Sequence, residues 1–171
     1  MIILFEGLTM CFLMLLVCVV GISNGPVGSV YFFEKNVQDR VVELGLTTKE
    51  KIKKDYAIAG ICLFIPLLIF VPLMVYFVNG ARGFKDLFIQ IYIILMIDGL
   101  FDRIFIDWFW VGKTKAWFIP GTEDLMPYIP KKTLIGKWMG TIIGYPILAV
   151  IMVICLMFEV NPEPMSFRTK N

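Results

Sequence analysis

Residues 86–111 read DLFIQIYIILMIDGLFDRIFIDWFWV, a stretch long enough to cross a bilayer that carries Asp98, Asp102, Arg103 and Asp107 in its second half. A helix over 87–110 places Asp98 near its middle, at ~1.5 Å of rise per residue. One charged side chain at the centre of a spanning helix costs roughly 2.5–3.5 kcal/mol on insertion scales. Groups at that depth must face a bundle interior, a water-filled recess or a partner chain rather than acyl chains. The rest of the chain reads as apolar scaffold or membrane-surface material around this segment.

Regular α-helical spacing sorts the four groups onto two faces. At ~100° per residue, Asp102 lies ~40° from Asp98, so the two carboxylates are neighbours one turn apart. Arg103 and Asp107 are also four apart, but fall roughly 140–180° away from Asp98. The second pair can neutralise itself. The first cannot, because two adjacent carboxylates in a low dielectric resist being charged together.

The composition agrees with this placement. With 58% apolar and 15% aromatic residues and a mean hydropathy of +0.80, the chain reads as an integral membrane protein rather than a soluble domain. The net charge of +2 is too small to suggest nucleic acid. There is no histidine, which removes the commonest metal ligand and the usual neutral-pH base. Cys11, Cys18, Cys62 and Cys155 lie inside apolar runs without C-x-x-C spacing and read as packing residues. No metal or cofactor is expected.

Working outward, residues 2–22 are almost uninterrupted apolar residues with Glu6 the only charge, and form the first span. No basic n-region precedes them and no small-residue cleavage site follows, so a removed signal peptide is not expected. Asn24 and Pro26 can start a new helix. It runs over 26–44 with apolar and charged residues alternating between faces, as suits an amphipathic helix at the membrane surface or a broken continuation of the first span. Gly45 ends it, and Thr47 or Thr48 caps the next helix, whose first turns are the basic run 49–54. That run reads as a cytoplasmic anchor or an anionic-lipid contact.

The second span, 56–78, is interrupted by Pro66 and Pro72, where kinks are expected. Residues 111–133 form a loop in which Trp117, Glu123 and Asp124 mark an interfacial region, with Trp108 and Trp110 beside it. The fourth span, 134–160, opens with Gly136, Gly140 and Gly144 at strict four-residue spacing. Such a smooth strip favours close helix approach, within the bundle or against a homodimer partner or another membrane protein.

The expected architecture is therefore all-α: a single polytopic domain with four transmembrane helices plus an amphipathic interfacial helix after the first span. Lys and Arg concentrate in 26–55 and 111–133, against Arg82, Lys85, Arg168 and Lys170 on the other side. The bias puts both loops in the cytoplasm and both termini outside the cell membrane, with lipid as an obligate partner.

Asp98, Gly99 and Arg103 invite comparison with CDP-alcohol phosphotransferases, but Leu95 stands where that motif needs an acid and Asp102 replaces its alanine. The run 107–110 through 121–125, DWFW and GTEDL, resembles uncharacterised small bacterial four-span membrane proteins. That resemblance carries no function. The leading expectation is a protein that binds or transports an ion or small ligand at an intramembrane carboxylate site, with Asp98 and Asp102 central and Arg103 and Asp107 beside them. The alternatives are a non-catalytic membrane subunit or assembly partner, and a lipid enzyme that holds a divalent metal with Asp102, Asp107, Glu123 and Asp124.

Overall fold

The computed structural model describes residues 2–160, and every regular element among them is helical. Helix α1 spans Ile2–Ile22, followed by a 3-10 helix over Pro26–Phe32 and by α2 over Lys35–Glu43. Helix α3, Lys49–Ile65, passes through π-helical turns at Pro66–Phe70 into α4, Val71–Phe77. Helix α5, Gly83–Phe101, continues into π-helical turns over Asp102–Val111. After the loop come α6, Lys131–Met139, a π-helical stretch over Gly140–Gly144, and α7, Tyr145–Val160. The polar tail, with Arg168 and Lys170, lies outside the described residues.

Three of these rods, Ile2–Ile22, Lys49–Phe77 and Lys131–Glu159, are long and apolar enough to cross a membrane. Their outer faces keep large apolar side chains exposed, among them Phe5, Phe12, Ile61, Phe64, Ile147 and Phe158. Exposed apolar surface of that extent calls for lipid or protein cover, and the three rods suggest a membrane protein. The Gly83–Val111 rod is as long, but its internal charges leave it too polar to count as a crossing by composition.

That polar rod is nonetheless the centre of the bundle. Its first half buries Leu87, Ile91, Ile94 and Leu95, with α1 and α7 packed along it. These residues belong to one apolar cluster, closed by Val71 and Val75 of α4 and by Ala149 and Val153 of α7. A second cluster forms at the other end, where Val30, Val37 and Val41 meet Ile106, Trp117 and Ile119. The acids of the third rod lie between the two.

Glycine allows the central contact. A Cβ on Gly99 would stand 2.5 Å from Cε2 of Tyr145 and 2.9 Å from Cγ2 of Thr141, well inside contact distance. Gly99→Val should therefore lower stability by ~1–3 kcal/mol through overpacking, read as a drop in melting temperature in detergent. A substitution that melts like the wild type would show that α5 and α7 are not held this closely.

Two expectations need correction and a third is narrowed. The amphipathic helix over 26–44 is two elements, not one. Gly25 has φ +98°, Pro26 starts the 3-10 turn, and Phe33 and Glu34 are extended. The break follows from packing, because the Phe33 ring is held by Trp117 and Tyr128 while its carbonyl accepts from Gln38 Nε2 at 2.9 Å. Trp117 is not at an open interface but buried between Phe33 and Trp110. The glycine strip is not packed within the bundle: a Cβ at Gly136, Gly140 or Gly144 would meet nothing within 4 Å. Elsewhere the punctuation is as read, with Gly45 at φ +69° after α2 and the Thr48 hydroxyl accepting from Lys51 N at 3.2 Å.

Candidate functional site

The division of the four charged groups onto two faces does not survive in the folded chain. From Asp102 onward the helix widens to π-helical turns, whose backbone hydrogen bonds span five residues rather than four. Asp102 and Asp107 are five apart, so the wider turn brings them to the same side. Arg103 then bridges both, donating from Nη2 to Asp102 Oδ2 and from Nη1 to Asp107 Oδ2. Lys137 of α6 completes the cluster, its Nζ donating to Asp107 Oδ1 at 2.8 Å.

Asp98 stands apart from this network. It is 3% exposed, and its Oδ1 is buried without a hydrogen-bond partner. Formal charge makes the imbalance plain: among the described residues, Asp98, Asp102 and Asp107 face only Arg103 and Lys137, which leaves one negative charge over. Buried charge without a partner is costly. The structure puts that cost on Asp98.

Two small cavities flank the acids. One, of about 210 Å³, is lined by Met10, Met14, Leu63, Asp98, Asp102 and Tyr145. The other, of about 220 Å³, is lined by Cys18, Phe33, Asp107, Trp117, Ile129 and Lys137. Met14, Leu63, Asp102 and Arg103 line both, so the Asp102–Arg103 pair stands between them. Of the long helices that wall this region, α1 is regular and the other three carry π-helical turns beside it, beginning at Pro66, Asp102 and Gly140. Such departures from α geometry are frequent at functional sites.

The loop acids are elsewhere and already engaged. Asp124 makes a two-pronged pair with Arg40 of α2 at 3.1 Å. Glu123 accepts from the Gly121 N–H at 3.1 Å, which holds its carboxyl below the usual carboxylate range. Neither joins Asp102 and Asp107, and among the described residues no three acids or cysteines group as metal ligands. The Arg40–Asp124 pair is exposed, so Arg40→Ala should cost less than ~1 kcal/mol. A melting-temperature loss as large as that of a core truncation would contradict this.

Sequence reasoning missed two contributors. Lys137 was legible only as a loop-proximal charge, because a contact between residues 107 and 137 has no local signal. The other is a polar node toward the far end of the bundle. There Asn79 Nδ2 donates to Glu6 Oε2 at 2.9 Å and to Gln90 Oε1 at 3.0 Å. Glu6 is buried and Asn79 half-buried, and Met10, Ile94 and Leu95 belong to the apolar cluster of this half of the bundle.

Comparison with protein-family models, with curated proteins and with solved structures finds no match to this chain. The class is thus set by the molecule itself: an all-α helical bundle with three rods able to cross a membrane and an internal cluster of acids around a fourth.

Proposed function

We propose that the chain is a four-crossing integral membrane protein whose Asp98 binds a proton or a monovalent cation, for ligand binding or transport. The observation that carries this reading is the buried, unpartnered Oδ1 of Asp98 in a cluster with one negative charge in excess. The Gly83–Val111 rod would be the added crossing, its charges hidden from lipid by α1, α3 and α6. The Lys/Arg bias supports cytoplasmic placement of 26–55 and 111–133, with both termini outside and α2 on the membrane surface.

The test is infrared difference spectroscopy of the protein in lipid across a pH step. A protonated-carboxyl band that appears and disappears with pH, and is missing in Asp98→Asn, is the expected result. An identical band in the variant would place the titrating acid elsewhere and end this reading.

A second reading has its own support. Asp102, Arg103, Asp107 and Lys137 satisfy one another within the chain, as a bundle lock would, and the glycine strip is left open. A non-catalytic subunit that docks a second copy or another membrane protein on Gly136, Gly140 and Gly144 would show both features.

A further inference from the structure

We infer that the cation taken by Asp98 is organic and amphipathic, an alkylammonium with an apolar tail, admitted sideways from the membrane between α1 and α3. This rests on the reading of Asp98 as a proton or cation site.

The route is a groove of about 700 Å³ on the flank of the bundle, walled by Leu16, Val17, Val20, Ile58 and Ile61. Helix α1 packs along α5 for much of its length but touches α3 sparsely, which leaves the groove open. At its inner end Leu13, Cys62 and Pro66 line the groove and also the cavity that holds Asp98. The two spaces therefore adjoin. At its outer end are Asn24, Lys51 and Asp55, where a polar head can enter while its tail stays among apolar side chains.

The inner cavity selects among cations. A hard inorganic ion needs several oxygen ligands to replace its water. Here the cavity beside the free carboxylate oxygen is lined by Met10, Met14, Leu63, Leu67 and the Tyr145 ring, and its other charged residues, Asp102 and Arg103, are paired with each other. Thioethers and an aromatic face suit a weakly hydrated ammonium head, which the ring quadrupole also attracts. A space of about 210 Å³ admits such a head, and the excess of one negative charge calls for one positive charge.

Binding would exchange one cation for the proton on Asp98. The titratable and charged groups near that acid are Asp102 and Arg103 on its own rod, Cys11 on α1, Cys62 on α3 and Tyr145 on α7. None of the groups from the neighbouring helices is a base that could receive the proton locally, so it must leave.

The experiment uses the full chain in phosphatidylcholine nanodiscs with Cys155→Ala, so that Cys62 is the exposed thiol among the described residues. The probes are dodecyltrimethylammonium, tetramethylammonium (head without tail) and dodecyl maltoside (tail without charge). Saturable binding of the first, at least tenfold tighter than of either control and lost in Asp98→Asn, is expected. The same probe should slow maleimide labelling of Cys62 severalfold. Equal protection of Cys62 by dodecyl maltoside would reduce the groove to a site for any tail and overturn the inference. Equal binding of tetramethylammonium, or unchanged binding to Asp98→Asn, would overturn it as well. If the infrared band assigns the proton to Asp98 and these binding results fail, only the ligand class falls. If the band itself is absent, the reading beneath it falls.

Discussion

Asp98→Asn is expected to abolish pH-gradient-driven uptake into proteoliposomes, a loss of at least tenfold, while the protein still inserts and elutes as a single species. The argument is one of charge and shape. Asparagine fills the space of aspartate, so the packing of Met10, Leu67 and Tyr145 around it is kept. The substitution also removes the one unbalanced negative charge, which leaves Asp102 and Asp107 matched by Arg103 and Lys137. Stability should change little, because the amide matches the carboxyl in shape and the relief of excess buried charge is offset by the amide's own unpaired polar atoms. Uptake at the wild-type rate would remove Asp98 from the function. Aggregation of the variant would make the acid a structural element instead.

Arg103→Gln is expected to have the opposite balance of effects. The guanidinium reaches both Asp102 and Asp107, and Asp107 is buried with only Lys137 left to it after the substitution. Breaking a buried pair from one side typically costs ~3–5 kcal/mol, since the remaining charge stays in a poor solvent. A large fall in melting temperature, or failure to accumulate in the membrane, is the expected readout. The second test is compensation. Adding Asp102→Asn and Asp107→Asn to Arg103→Gln should restore most of the lost stability, because neither carboxylate that Arg103 served is then stranded, and Lys137, 31% exposed, can turn its ammonium to a polar surrounding. A triple variant as unstable as the single one would mean that Arg103 acts through packing of its stem and not through charge.

Much of the helical content was legible along the chain, since hydropathy and turn residues are local signals. The ends near residues 22, 45 and 78 are marked by Ser-Asn-Gly-Pro, by Gly45 and by Asn-Gly. The rods over 2–22, 56–78 and 134–160 were recognisable as long, mainly apolar runs, although α3 and α6 begin earlier, at Lys49 and Lys131, within charged turns. The break at Phe33–Glu34 was not readable, because it depends on Trp117 and Tyr128 far along the chain.

The candidate site divides the same way. That Asp98 lies in the middle of an apolar segment, and so needs a protected recess, followed from composition and the cost of burying charge. The Arg103–Asp107 pair followed as well, but that Asp102 and Lys137 join it did not, because helical-wheel arithmetic presumes a constant turn. Tertiary packing wound residues 102–111 into wider turns and brought Lys137 across from another rod. The sequence by itself determined that these acids interrupt an apolar helical segment and that long apolar rods precede and follow it along the chain. Only the tertiary structure decided that Arg103 serves two aspartates and that Asp98 is left unpaired, since a side chain's partner is set by long-range contact and local winding.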